Sequence, residues 1–220
     1  MQAPTDTKPR WERRKDARPQ ELLEAALELF VERGFAAARL EDVARRAGVS
    51  KGTLYLYFEN KEELFKAVVR ATIGQAIGQA ELDLAASDAP SADLLKEMLM
   101  RWWAQVGATK LAGITKLVMA ESGNFPELVR FYEDEVVARG NALLVRVLER
   151  GLARGEFRPH DPQVMMPVLS APVLMLMMWN NGFLPCGGGT GIDPDRYMAT
   201  FLDLALRGLV PDAGASLPQK

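Results

Sequence analysis

Apolar residues recur along this chain every three or four positions, the period of a helix packed on one face, and no segment alternates like a strand. The first four periodic segments cover residues 19–33, 40–47, 51–57 and 61 to beyond 80. Five more follow at about 91–108, 110–121, 126–154, 162–179 and 194–209. The pattern predicts an all-α protein of about nine helices.

Residues suited to helix ends mark several of these boundaries. Gly48 follows the second helix, where glycine adopts the left-handed conformation without strain. Ser50 precedes the third helix, and its hydroxyl can accept a hydrogen bond from an exposed amide of the first turn. Asn60, with Glu63 three residues later, has the spacing of a capping box and predicts the start of the fourth helix.

The composition is that of a soluble globular chain and excludes several chemistries. The chain has 220 residues, 48% hydrophobic and 25% charged, with one cysteine and one histidine. These counts exclude a disulfide framework and a multi-cysteine metal site, so we expect no metal, no cofactor and no catalytic residues. Because residues 1–18 lack the apolar segment of a signal peptide, we expect a cytoplasmic protein.

The net charge of −2 is unevenly distributed. Residues 1–70 hold 14 Lys and Arg against 12 Asp and Glu, whereas the rest of the chain holds 13 against 17. Residues 1–16 are predicted to form a basic flexible arm, and residues 211–220 a flexible tail. A basic end on an acidic protein suits contact with a polyanion, but on charge alone a solvated tail is the better explanation.

The segment from 162 to 192 contains no charged residue, which raises the question of a membrane. Its densest apolar part, 164–179, is shorter than the ~20 residues that a spanning helix needs, and it contains two prolines. No cluster of Lys or Arg flanks it. We therefore expect no membrane contact and a helix buried by its own domain and by a second subunit.

Helices 40–47 and 51–57, joined by Gly48-Val49, form a predicted helix-turn-helix over residues 39–58. The second helix, about 10 Å long, suits a major groove about 12 Å wide. Its outward side chains include ammonium, hydroxyl and phenol donors. Gly52 costs such a helix about 1 kcal/mol relative to Ala, which indicates close approach by another surface. An ordinary helical hairpin with a polar face remains the alternative.

Several joined motifs resemble the N-terminal domain of the TetR family of transcriptional regulators. They are RPQELLEAA at 18–26, GF at 34–35, LEDVARRAGVSKGTLYLYF at 40–58 and KEEL at 61–64. The resemblance implies a homodimeric repressor that binds a palindromic operator in double-stranded DNA. It also implies a DNA-binding domain at 17–76 and a C-terminal domain at 77–210 for dimerisation and for binding a small-molecule effector.

The resemblance also implies roles for single residues. Lys51, Gly52 and Thr53 match the family positions that approach bases. Tyr55, Tyr57 and Lys61 match those that hold phosphates, and the helix start at Ser50 adds a phosphate site. Arg39 departs from the family pattern, because Thr or Ser usually caps the second helix there and a guanidinium cannot accept a hydrogen bond. We expect Arg39 to bind a phosphate instead.

The C-terminal resemblance is weaker. The segments at 116–121, 125–132 and 154–158 look like those of AefR-like members of the family. Abundant aromatic and methionine side chains predict a pocket for an apolar or aromatic effector. The candidate lining residues are Trp102, Trp103, Phe125, Met178 and Trp179. For each of them singly, core or dimer interface is the better explanation.

Two other classes of function remain open. The helix-turn-helix could be only the scaffold of a helical enzyme or ligand carrier, although one histidine and no evident nucleophile and base argue against catalysis. The methionine-rich helix could also serve a protein-interaction module. Binding to the operator distinguishes the repressor from both.

Overall fold

A computed structural model describes residues 10–183 and 192–211, so most of the predicted tail and the first nine residues of the predicted arm lie outside the described residues. The chain divides into two compact units, Met1–Ala71 and Thr72–Lys220. The border lies five residues before the predicted one at 76.

The first unit contains three helices and the start of a fourth. These are α1 (Arg10–Ala37), α2 (Leu40–Arg46), α3 (Lys51–Tyr55) and the Lys61–Val69 part of α4. Helix α4 continues through a π-helical turn, Arg70–Gly74, into Gln75–Ala86.

The second unit adds five helices, three of which also contain a π-helical turn. They are α5 (Ser91–Trp102 and Trp103–Gly107), α6 (Ala112–Ala120), α7 (Pro126–Tyr132, Glu133–Val137 and Ala138–Ala153), α8 (Pro162–Met178 and Trp179–Phe183) and α9 (Pro194–Leu209). Within the residues that the structure describes there are nine helices and no strand, so the all-α prediction is confirmed.

Two of the differences from the predicted helix boundaries concern the start of α1 and the end of α3. Helix α1 begins at Arg10 and carries Pro19 in its interior, because residues 10–18 are mostly good helix formers. The predicted flexible arm is therefore helical from Arg10 onward. Helix α3 ends at Tyr55 rather than Tyr57, since the Tyr57 amide donates to the Leu54 carbonyl in a tighter turn.

Three phenylalanines form the centre of the first unit. The rings of Phe30 and Phe35 on α1 and Phe65 on α4 lie 5.5–5.6 Å apart between centroids, and Phe65 meets the other two edge to face. All three side chains are buried. Gly34, with φ 78°, breaks the helical geometry of α1 between the first two rings. The cluster thus joins the end of α1 to α4.

Helix α8 is apolar over most of its length. Within Pro162–Asn181, an 18-residue window has a mean hydropathy of 1.4, so this segment could cross a membrane by length and composition alone. However, Val173, Leu176 and Met177 are buried within the second unit, and α8 packs against α7 and α9. One face of α8 is therefore part of the core of this unit, although only 22% of that window is buried.

Replacing Gly151 by alanine is expected to lower the free energy of unfolding by about 1–3 kcal/mol, the usual cost of overpacking. A Cβ at Gly151 on α7 would lie 2.1 Å from the buried ring of Phe157. Denaturant unfolding followed by circular dichroism measures the change.

Gly140 on the same helix is the matched control, because a Cβ there would meet nothing within 4 Å. Gly140→Ala is expected to be neutral or to stabilise by up to about 1 kcal/mol. Equal effects of the two substitutions would contradict the packing argument.

Candidate nucleic-acid interface and ligand cavity

The turn between α2 and α3 has the geometry that the sequence predicts. Gly48 adopts φ 67°, and the Val49 amide donates to the Ala44 carbonyl at 2.9 Å. The Ser50 hydroxyl accepts from the Thr53 amide at 3.0 Å, so the predicted cap of α3 is confirmed. Four buried side chains fix the two helices in the unit: Leu40, Val43, Ala44 and Leu54.

The first turn of α3 is open to solvent. Lys51 and Gly52 are exposed, and Thr53 is half-buried with its hydroxyl 2.8 Å from that of Ser50. A Cβ on Gly52 would meet only the Ser50 hydroxyl, at 3.7 Å. Packing within the protein therefore does not require glycine at this position.

Lys51 is held by a carboxylate of the neighbouring helix. Its Nζ lies 2.6 Å from Glu41 Oε1 on α2 and 5.7 Å from the centroid of the Tyr55 ring. The hydrogen bond between Lys51 and Glu41 lowers the pKa of Glu41 and raises the pKa of Lys51. Both groups are therefore charged at neutral pH.

Three consecutive large side chains at the end of α3 are exposed. Tyr55 and Tyr57 were predicted from the sequence, but Leu56, at 82% the most exposed of the three, was not. Apolar periodicity does not separate it from Leu54, which is fully buried. The exposure of Leu56 could have been predicted from its position, because consecutive helical residues cannot all face one core.

Lys61 has a structural contact that the sequence did not indicate. Its ammonium donates to the carbonyls of Phe35, at 2.6 Å, and Ala36, at 3.2 Å, and lies 4.5 Å from the centroid of the Phe35 ring. Lys61 thus ties α4 to the last turn of α1. Beside it, Asn60 Oδ1 accepts from the Glu63 amide at 2.8 Å, as predicted for the cap of α4.

Arg39 occupies the N-cap position of α2 with extended backbone angles, φ −113° and ψ 142°. Its side chain is exposed and makes no capping hydrogen bond. Backbone bonds from the Asp42 and Val43 amides to the Arg39 carbonyl close the first turn instead. The departure from the usual side-chain cap is therefore real in this chain.

The second unit contains a half-open cavity of about 590 Å³ between α4, α5, α6, α7 and α8. Of the five predicted pocket residues, only Trp102 lines it. Trp103 is buried elsewhere, and Trp179 packs edge-on against Tyr197 at 6.0 Å between centroids. Phe125 and Met178 also lie outside the lining.

Most of the cavity wall is apolar, with two groups of polar side chains. Arg101 donates hydrogen bonds to Asp83 on α4 and to Glu97 one turn earlier on α5. Tyr132 and Thr115 share a hydrogen bond of 2.8 Å between their hydroxyls. Burial raises the pKa of Tyr132 to about 12, so its phenol is neutral.

Over residues 10–183 and 192–211, no group of three or more His, Cys, Asp and Glu side chains is arranged to hold a metal ion.

The comparisons with known proteins agree with both units. Residues 22–68 match the family described as "Bacterial regulatory proteins, tetR family", and residues 89–184 match the "Tetracyclin repressor-like, C-terminal domain".

Curated relatives extend this similarity along most of the chain. A helix-turn-helix transcriptional regulator of Bacillus subtilis, YfiR, is 31% identical over 155 residues, covering 67% of this chain and 72% of its own. The transcriptional repressor KstR2 of Rhodococcus jostii is 27% identical over 197 residues, covering 89% of this chain and 92% of its own.

A solved structure supports the same fold. The transcriptional regulator FadR of Bacillus subtilis, in complex with stearoyl-CoA, has a TM-score of 0.72 and 23% identity, covering 86% of this chain and 98% of its own. The relatives are transcriptional regulators and not enzymes. The helix-turn-helix, the C-terminal helical unit and the similarity of both to known regulators show that this chain is a DNA-binding transcriptional regulator of the TetR family.

Proposed function

We propose that this protein is a homodimeric repressor that binds a palindromic operator and leaves it when a small, mainly apolar effector enters the cavity. The observation that carries the DNA-binding part is the exposed surface of α3, where Gly52 has no packing role within the protein. The proposal includes a cytoplasmic location and the finer placement among AefR-like members of the family.

Helix α3 is the proposed reader of the major groove. Its five residues span about 7.5 Å, which fits a groove about 12 Å wide. Lys51 and Thr53 would contact base edges, and Gly52 would let the backbone come close. Lys51 must first exchange its bond to Glu41 for one to DNA. Glu41 therefore opposes binding, both as a competitor for Lys51 and as a negative charge near phosphates.

The phosphate contacts are proposed to surround α3. Tyr55 and Tyr57 carry exposed phenols, and Leu56 between them offers an apolar contact to sugar or thymine methyl groups. Arg39 and Ser50 are proposed as further phosphate contacts. Lys61 is proposed to contact a phosphate in addition to holding the end of α1.

Substitutions on α3 are expected to separate base contacts from phosphate contacts. Lys51→Ala and Thr53→Ala should change base preference and cost about 1–3 kcal/mol for each lost base contact. Tyr57→Phe should weaken binding to all sequences alike, because phosphates carry no sequence information. Gel-shift titrations against the upstream DNA of the gene and against randomised DNA measure both effects.

Glu41→Gln is the variant of opposite sign, and it should strengthen binding to every DNA several-fold by releasing Lys51. Glu21→Gln removes the same charge from an exposed position on α1 and serves as its control.

With about 6–10 phosphates neutralised, wild-type affinity should fall by about 10³–10⁵ between about 50 and 200 mM salt. Binding that is independent of salt would contradict the proposal and favour a ligand carrier.

The dimer is proposed to form through α8 and α9, which pack against each other and expose apolar side chains. Val164, Val168 and Met175 are exposed on α8, and Leu204 is exposed on α9. Two such pairs related by a two-fold axis make an isologous four-helix interface. An obligate interface of this kind buries upwards of about 2,000 Å².

Light scattering at micromolar concentration is expected to give twice the chain mass of 24.3 kDa. Leu204→Glu should shift the protein to monomer and weaken operator binding, because each monomer then reaches only one half-site. The control is Leu82→Glu on α4, since Leu82 is 66% exposed against 67% for Leu204. A wild-type mass near that of one chain would refute the dimer.

Helix α4 is the proposed link between effector and DNA. It begins at Lys61, and farther along it contributes Ala76, Ile77 and Ala80 to the cavity wall. The π-helical turn Arg70–Gly74 interrupts its regular geometry, and such turns occur frequently at functional sites. An effector that fits only one position of α4 would shift the balance between two states of the dimer.

Apolar compounds that change the tryptophan fluorescence of the protein are expected to weaken operator binding by about 5–150-fold, the usual range of allosteric coupling. Gly140→Leu should abolish this response and keep operator affinity, because a side chain at Gly140 points into open space in the cavity wall. Gly123→Leu, also unhindered but outside the cavity, is its control. Compounds that bind without changing operator affinity would contradict the mechanism.

A further inference from the structure

We infer that the cavity of the second unit binds an elongated, uncharged and mainly apolar molecule, whose carbonyl or hydroxyl oxygen is held by Tyr132 and Thr115. The inference rests on the proposed function in one respect, that this cavity is the effector site. The class of ligand is argued from the cavity alone.

The cavity is long and follows the helices that line it. On α7 its lining runs from Tyr132 to Val147, about 22 Å at 1.5 Å per residue. On α5 it runs from Leu94 to Gln105, and on α8 from Met166 to Met177, about 16 Å in each case. A volume of about 590 Å³ spread over this length fits an extended molecule better than a compact one.

Tyr132 and Thr115 form a polar anchor at one end of this length. Tyr132 is the first residue of α7 in the lining, and Thr115 lies on α6. The neighbouring Lys116 donates to the Asn181 carbonyl at 2.7 Å, which places the last turn of α8 at the same end.

The pair of Tyr132 and Thr115 has one hydroxyl hydrogen left to donate to a ligand. Two hydroxyls hold two hydrogens, and the contact of 2.8 Å between Tyr132 and Thr115 uses one of them. Tyr132 is only 5% exposed, and burial raises its pKa to about 12, so the phenol remains a neutral donor. A ligand oxygen beside the pair can accept the remaining hydrogen.

The charged lining argues against an anionic ligand. Arg101 is bonded to two carboxylates, Asp83 and Glu97, and Asp83 also accepts from Gln79 at 2.8 Å. The charged residues of the lining therefore sum to −1. The other polar lining residues are neutral, among them Ser87, Asn141 and Ser170. An anion would meet net repulsion and lose its hydration without gaining an unpaired cation.

Three probe molecules that share a ten-carbon alkyl group test the class of ligand: decanol, ionised decanoate and decyl chloride. Calorimetry on the full chain is expected to show that decanol binds more tightly than either of the others. Tyr132→Phe and Thr115→Val should each weaken decanol binding about two- to tenfold, the loss of one net hydrogen bond. Binding of decyl chloride should not change, because chlorine is a poor acceptor.

Tyr197→Phe is the matched control, since Tyr197 belongs to the same unit and lies outside the cavity lining. Thermal unfolding verifies that each variant is folded. The inference is overturned if Tyr132→Phe weakens decanol and decyl chloride equally, if decanoate binds more tightly than decanol, or if no probe binds.

Operator release, measured separately with the same probes, distinguishes this inference from the proposed function. Binding that depends on Tyr132 without any change in operator affinity supports the ligand class and refutes the release mechanism. Release by all three probes, unaffected by Tyr132→Phe, supports the mechanism and overturns the ligand class.

Discussion

The proposed DNA-binding surface depends on burial, because helices of seven and five residues are not stable by themselves in water. Helices α2 and α3 persist because Val43, Ala44 and Leu54 are buried in the first unit. The cluster of Phe30, Phe35 and Phe65 provides the solid core against which such short elements can pack. These apolar contacts hold the backbone of α3 in place, and with it the exposed donors that are proposed to contact DNA.

Polar contacts then orient the short helices that the apolar core holds in place. Ser50 and Gly48 set the angle at which α3 leaves the turn, and the ion pair of Arg46 with Glu32 at 2.8 Å joins α2 to α1. Such exposed ion pairs are individually weak, so they orient the helices more than they stabilise them. Lys61 shows that one side chain can serve the fold and remain close to the binding surface, because its ammonium carries several donors.

The second unit resolves a different conflict, since a regulator needs both a stable bundle and room for a ligand. Helix α8 has apolar residues on all sides because its faces have different neighbours. Leu169 and Leu176 are buried outside the cavity lining, Met166 and Val173 line the cavity, and Val168 is exposed. The charged cluster and the hydroxyl pair of the cavity wall are each hydrogen-bonded internally, which avoids the cost of leaving those polar atoms isolated in a mainly apolar wall.

The sequence by itself determined the elements of local origin. Helical periodicity, the caps at Ser50 and Asn60 and the left-handed Gly48 depend on neighbouring residues, so they were predictable, as was the membership of the family. Contacts between residues distant in the chain were not. Only the tertiary structure placed Glu41 on Lys51 and the carbonyl of Phe35 on Lys61.

The lining of the cavity could not be predicted from the sequence either, because it depends on contacts between distant residues. Trp102 and Trp103 are adjacent and chemically identical, but successive helical residues point about 100° apart, and only Trp102 faces the cavity. Composition indicated an apolar pocket without indicating which helical faces surround it. Tyr132 and Thr115, seventeen positions apart on different helices, meet only because the bundle brings α6 and α7 together. Which residues line the cavity depends on the rotation and packing of the helices, and these depend on all the neighbouring elements together.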